Sequence, residues 1–224
     1  MLRNVLLACG ILSSLLYVAM NVVVPMQWDN YSSASQTVSE LSALGAPTRQ
    51  LWLLLVVPYT LLVTAFGFGV WLSAGRNRPL RVVGVLIIAN GILGIFWPPM
   101  HLRGVEPTLT DTLHIVFAIV TVLIFVLEIG FGAAAFGKRF RLFSIVTIVI
   151  LLAFGVLTGI DGPRIAANLP TPWVGVWERI SIGAFLAWMV ILTLTLFRLP
   201  TNVAGKISSP GLRVISNPGL GIIA

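Results

Sequence analysis

Two histidines and a few acids are the residues in this 224-residue chain suited to acid–base or metal chemistry. Ser39 and Glu40 lie in YSSASQTVSELSALGAPTR. His101, Asp111 and His114 lie in WPPMHLRGVEPTLTDTLH. Asp161, Glu178 and Arg179 lie in DGPRIAANLPTPWVGVWER. Imidazole beside carboxylate is a set that binds Zn²⁺ or moves a proton. The local spacing builds neither: no HExxH occurs, and prolines and a glycine separate the two histidines. No serine sits in a GxSxG turn. No CxxCH and no glycine-rich phosphate loop are present. The sequence therefore predicts no metal, no bound cofactor and no recognised catalytic set.

The elements that must position these residues follow from composition. The chain is 58% hydrophobic and 9% charged, with a mean hydropathy of +1.01. Soluble domains carry about 25% charged residues, so a water-facing surface is ruled out. The expected fold class is all-α, a polytopic transmembrane bundle of six antiparallel spans. A span needs about 20 apolar residues, and the runs are 5–24, 51–74, 82–97, 113–136, 142–160 and 173–197. Together they form one domain, 1–198, and 199–224 reads as a mobile cytoplasmic tail. The first run is too long for a signal-peptide core, for which about 7–15 residues is usual, so it reads as a retained helix. Cys9 lies inside that run and reads as a small core hydrophobe.

Charge sets the orientation. Arg3, Arg76, Arg78, Arg81, Lys138, Arg139, Arg141, Arg198, Lys206 and Arg213 fall on one side. Arg49, Arg103, Arg164 and Arg179 fall on the other. Cytoplasmic loops hold the excess of Lys and Arg, which predicts cytoplasmic termini in the plasma membrane. The net charge of +7 is then a topology signal, and no nucleic-acid partner is expected. All acids except Glu128 fall on the outer side, where the loops are longest.

Helices in lipid associate through small residues and buried polar contacts. Gly10, Ser14, Tyr17 and Asn21 share one face of the first span. Gly155-x-x-x-Gly159 and Gly183-x-x-x-Ala187 mark the fifth and sixth. Pro58 is expected to kink the second. Glu128 is the costliest residue, at roughly 2.5–3.5 kcal/mol for an acid at mid-membrane. Counting at about 1.5 Å per residue puts Glu128 and Asn90 about 12 Å above the inner boundary. Ser13, Ser14 and Thr64 fall near that level. A buried layer of Glu128, Asn90 and a hydroxyl is predicted, as interhelical glue or as a proton relay.

At the outer ends, Ser39-Glu40 predicts a short interfacial helix capped by Ser39. Thr110 or Asp111 is expected to cap the fourth helix, with His114 in its first turn. Pro172 suits the start of the sixth helix. Glu178 and Arg179 are neighbours and so point about 100° apart. Each wants a partner from another segment, for Arg179 either Glu40 or Asp111.

SELSALGAPTR, His114 after a Pro-Pro loop, and Gly175-x-x-Glu178-Arg179 together resemble a family of bacterial and archaeal membrane proteins, domain of unknown function 998. The resemblance covers roughly residues 5–197. It implies a six-helix integral membrane protein with its marked polar residues on one side, and it supplies no activity. Such proteins would carry an acid near the Pro-Pro turn, where this chain has Met100-His101.

Three functions fit these residues. The first is a non-enzymatic membrane protein that binds a lipid, small amphiphile or partner at an outer site of Ser39, Glu40, Asp111, His114, Glu178 and Arg179. In it Arg179 would be the cation for an anionic head group. The second is a lipid hydrolase at the outer leaflet, with His114 as base or ligand beside Glu40 and Glu178. The third is proton-linked transport through Glu128.

Overall fold

A computed structural model describes residues 1–199; the tail expected at 199–224 otherwise lies outside the described residues. Seven α-helices run in order: α1 Leu2–Val23, α2 Arg49–Ser73, α3 Arg78–Ile95, α4 Leu109–Ala135, α5 Lys138–Ile160, α6 Gly162–Ala166 and α7 Val174–Phe197. All but the short α6 are long and apolar enough to cross a membrane. The chain is a multi-pass membrane protein, as its composition requires.

At α3 and α4 the helix starts depart from the edges of the apolar runs because capping, not hydropathy, sets them. α3 begins at Arg78 rather than Val82, since Asn77 accepts the Leu80 N–H at 3.1 Å and a proline occupies the first turn. α4 is capped by Thr108, with Asp111 closing the capping box from the third helical position. Neither Thr110 nor Asp111 is the cap itself. Pro172 lies just ahead of α7, which starts at Val174. Ser39–Ser42 is one 3₁₀ turn, and the residue before it is Val38, so Ser39 is not its cap.

The six long helices form a ring in chain order. Each packs on the next from α1 to α5, α5 packs on α7, and α7 closes on α1. The short links from α2 to α3 and from α4 to α5 make those helices neighbours. The interior is apolar and aromatic, with Leu7, Phe66, Ile87, Phe185, Trp188 and Met189 buried. Phe125 of α4 stacks on Phe185 of α7 at 3.6 Å across the ring.

Glycines set the closest approaches. A β-carbon on Gly10 would lie 2.5 Å from Thr193 Oγ1, and one on Gly132 would lie 2.5 Å from the Trp188 ring. The stripe expected on α1 is therefore a packing face: Ser14 reaches Leu186 O at 3.5 Å, and Tyr17 meets Trp52 and Tyr59. On α5 the expected stripe is half a packing face, since a β-carbon on Gly155 meets Ser181 Oγ at 3.7 Å, and on α7 Gly183 and Ala187 are exposed. Gly159 and Gly183 have open space where a β-carbon would go.

The predicted Glu128–Asn90–hydroxyl layer is not formed. Both Glu128 oxygens are buried without a hydrogen-bond partner. The hydroxyls turn onto their own helices instead: Ser13 and Ser14 donate to Gly10 O, and Thr64 donates to Thr60 O. A carbonyl one turn back is always within reach of a helical Ser or Thr, so these hydroxyls are already satisfied.

Both described ends of the bundle meet at its basic face. Arg3 donates from Nε to Ser73 Oγ at 2.9 Å and from Nη2 to Leu196 O at 2.5 Å, tying α1 to the ends of α2 and α7. The acid-rich loops cover the opposite, loop end.

Two glycine substitutions separate packing from composition. Gly132→Ala forces the Trp188 indole to shift and costs about 1–3 kcal/mol, read as a lower thermal unfolding midpoint in detergent. Gly183→Ala meets nothing and leaves that midpoint unchanged.

Candidate functional site

The loop end is organised around a buried ion pair. Glu40 is 1% exposed and accepts Arg103 Nε at 2.7 Å and Nη2 at 2.9 Å, a two-point contact. Glu40 also accepts Thr37 N at 2.7 Å and Thr37 Oγ1 at 3.0 Å. Arg103 continues to Ser35 O at 2.8 Å, Thr171 Oγ1 at 2.8 Å and Leu169 O at 3.5 Å. A guanidinium has five N–H donors, and all five are engaged. Thr171 Oγ1 itself donates to Ser35 O at 3.0 Å. One cation thus joins the loop before α2, the loop before α4 and the loop before α7.

Arg179 was expected to pair with Glu40 or Asp111 and does neither. Arg103 occupies Glu40, and Asp111 is bonded elsewhere. Arg179 Nη1 donates to Ser33 O at 2.9 Å, Gln36 O at 3.1 Å and Gly175 O at 3.0 Å, and Nη2 donates to Tyr31 Oη at 2.7 Å. Glu178, its neighbour, accepts the Val38 N–H. The pair reads one strap of backbone, carbonyls by the cation and an N–H by the acid. Gly175 completes the grip. Its N–H donates to Ala34 O at 2.9 Å, and any β-carbon there would collide with the Ser33 and Gln36 carbonyl oxygens. The Gly175-x-x-Glu178-Arg179 spacing is therefore the imprint of α7 against residues 33–38.

The SELSALGAPTR segment locks itself. Leu41 is fully buried, and Thr48 Oγ1 donates back to Leu41 O at 2.7 Å. Gly45 turns with φ +89°, a left-handed conformation that favours glycine. Leu44 N then donates to Met100 O at 2.7 Å, and a single parallel bridge pairs Leu44 with His101.

Asp111 and His114 form a second group. Asp111 accepts His101 N at 2.7 Å, His101 Nδ1 at 2.8 Å and Thr108 N at 2.8 Å. His114 is 7% exposed, and its Nδ1 lies 2.8 Å from Pro98 O and 3.1 Å from Trp97 Nε1. One nitrogen cannot serve both. A carbonyl only accepts, so the shorter contact places the proton on Nδ1. The Trp97 indole then rests edge-on to the ring, at 90°. None of the His114 hydrogen bonds goes to Glu40, Glu178 or Arg179. Among the described residues, no three of His, Cys, Asp and Glu converge as a metal set.

The site thus gathers Ser39, Glu40, Glu178 and Arg179 and sets Asp111 and His114 apart. Sequence reasoning missed Arg103, Tyr31, Thr37 and Thr171. Arg103 had one signal: it is one of only four basic residues among the acids of this end.

Beside the ion pair is an open hollow of about 410 Å³ lined by Asn30, Ser32, Ser35, Gln36, Arg103 and Thr171, with Pro170 and Pro172 at its edge.

The chain belongs to the family described as protein of unknown function (DUF998), whose model matches residues 11–195. No curated protein and no solved structure matches it.

Arg103→Ala leaves Glu40 buried and uncompensated, which costs about 3–5 kcal/mol. Thr171→Val removes one hydrogen bond from the Arg103 cation and one to Ser35 O and costs about 1.5–3 kcal/mol. Denaturant unfolding in detergent, with limited proteolysis of residues 25–48, ranks the two. The Tyr31 phenol adds a pH dependence. Burial pushes it up to about 12 from an ordinary 10.0, against the pull of Arg179. The fold favours the neutral phenol, so this stabilisation is complete below pH 10 and is lost as pH rises toward 12. Thermal unfolding across that window falls in the wild type and is flatter in Tyr31→Phe.

Proposed function

We propose that the protein is a non-enzymatic binder of an amphiphile with an uncharged, hydroxyl-rich head group, held in the hollow at the loop end. The loop end faces outward and both termini are cytoplasmic, in the plasma membrane. The ten-to-four division of basic residues between the two ends supports this orientation through the positive-inside rule.

The hollow carries the reading. Its wall offers amide and hydroxyl groups from Asn30, Ser32, Ser35, Gln36 and Thr171, and its size lies within the range of small-molecule sites, about 300–1,000 Å³. Its one charge, Arg103, is matched by Glu40 and has no N–H left to offer. Arg179 is held by carbonyls outside the hollow. Such a wall favours neutral hydrogen-bonding groups over anions. Next in sequence to the rim residues are Leu169, 48% exposed, and Trp173, 57% exposed. An apolar shelf beside these hydrogen-bonding side chains suits a ligand with a head and a tail. Aromatic residues gather at this membrane–water boundary.

Asn30 is exposed and makes no side-chain hydrogen bond among the described residues, so Asn30→Trp fills the hollow without loosening the loops. In nanodiscs of zwitterionic lipid, titration with a neutral glycolipid gives saturable binding to the wild type. Asn30→Trp weakens it by about tenfold or more, about 1.4 kcal/mol. Phosphatidylglycerol gives no saturable binding. Equal binding by wild type and Asn30→Trp removes the hollow from the account, and tighter binding of the anionic lipid removes the neutral head group.

A further inference from the structure

Four buried side-chain atoms among the described residues lack a hydrogen-bond partner: Asn21 Oδ1, Thr121 Oγ1 and both carboxyl oxygens of Glu128. Glu128 is 0% exposed. A carboxyl kept as interhelical glue would be bonded, because leaving buried polar groups unmade is costly. In a membrane protein an unbonded interior acid is the ordinary mark of a proton or ion site.

The polar groups between the loop end and Glu128 form a descending series. Tyr59 of α2 lies within charge range of Glu128. Tyr17 of α1 lies within charge range of Tyr59 and of Glu178 at the head of α7. The two tyrosine rings are 4.9 Å apart, both side chains are half-buried, and neither hydroxyl bonds to a described residue. Thr121 sits two turns above Glu128 on the same face of α4, about 10.5 Å along the axis. Counted from the loop end of each helix, the depths of Glu178, Tyr17, Tyr59, Thr121 and Glu128 are roughly 6, 9, 15, 18 and 28 Å.

No other ionisable group stands at that depth on the packed elements. The charges of α3 are Arg78 and Arg81, those of α5 are Lys138, Arg139 and Arg141, and those of α7 are Glu178, Arg179 and Arg198 at its two ends. α2 contributes Arg49 at its head and Tyr59, and α1 contributes Arg3, Cys9 and Tyr17. One turn below Glu128, the Trp188 ring covers Gly132, and its indole N–H is held by Ser144 at 3.0 Å. Trp188 shuts the series toward the basic end.

We infer that Glu128 is a proton-binding site reached from the loop end through Glu178, Tyr17, Tyr59 and Thr121, with water bridging the hydroxyls. One proton leaves the carboxyl as another arrives along the hydroxyls, and no other bond changes. This function is separate from binding in the hollow.

Infrared spectroscopy of the full chain in nanodiscs tests it. The wild type shows the C=O stretch of a protonated carboxyl. Glu128→Gln loses that band, and transfer to D₂O shifts it. Tyr17→Phe and Tyr59→Phe keep the rings and the packing while removing the hydroxyls. Each slows the shift by about a hundredfold, the lower edge of what a positioned proton-transfer group contributes. A Glu128→Gln spectrum identical to wild type overturns the proposal, as does wild-type exchange in both phenylalanine variants. Glycolipid titration of the same variants stays at the wild-type value.

Discussion

The Glu40–Arg103 pair is the contact on which the loop end depends. The three loops it joins lie far apart in sequence. A guanidinium solves this because its five donors spread in a plane. It meets a carboxylate from the first loop, a hydroxyl and a carbonyl from the third, and a further carbonyl from the first. Burial makes the arrangement all-or-nothing. With Glu40 nearly inaccessible to water, every contact that satisfies the pair also excludes an alternative loop arrangement.

A second constraint comes from α7. Its first turns hold residues 33–38 through Gly175, Glu178 and Arg179, one providing room, one accepting an N–H and one capping carbonyls. A loop strap pressed against a helix head leaves backbone polar groups away from water, and these must be paired. The two devices share residues 33–40, so the ion pair and the strap support each other. The hollow lies along that shared segment, with Ser35 and Gln36 in its wall.

Much of this was legible in the sequence. The spans follow from hydropathy, and the acid–base asymmetry between the two ends follows from counting. Local chemistry marks a turn at Ser39 and the start of the fourth helix, but the caps fall elsewhere, at Val38 and Thr108. What was not legible was partner choice. Glu40, Asp111, Arg103 and Arg179 all lie on the loop end, and sequence spacing does not rank the pairs that distance later separates. Arg179 looked like the free cation because nothing in the sequence announces that three carbonyls will converge on it. The glycine stripes failed for a related reason. Gly183 and Gly10 sit in similar patterns, yet only Gly10 faces a neighbouring helix, since a ring of six exposes one side of every helix to lipid.

The contrast between the loop end and the interior gives Glu128 its weight. Around Arg103, Arg179 and Asp111, nearly every donor and acceptor is matched, even where three loops had to converge to do it. A fold that satisfies polar groups so thoroughly at its surface leaves both oxygens of its single mid-membrane acid without a partner. Candidate partners were close in sequence terms, since Ser13, Ser14 and Thr64 are hydroxyls at similar depth, and each instead bonds its own helix. An acid in lipid is expensive and has a cheap apolar substitute that would pack as well. Its presence without a structural bond, while the Tyr17 and Tyr59 hydroxyls nearer the loop end are also unengaged, is what the proposed proton exchange would explain and packing would not.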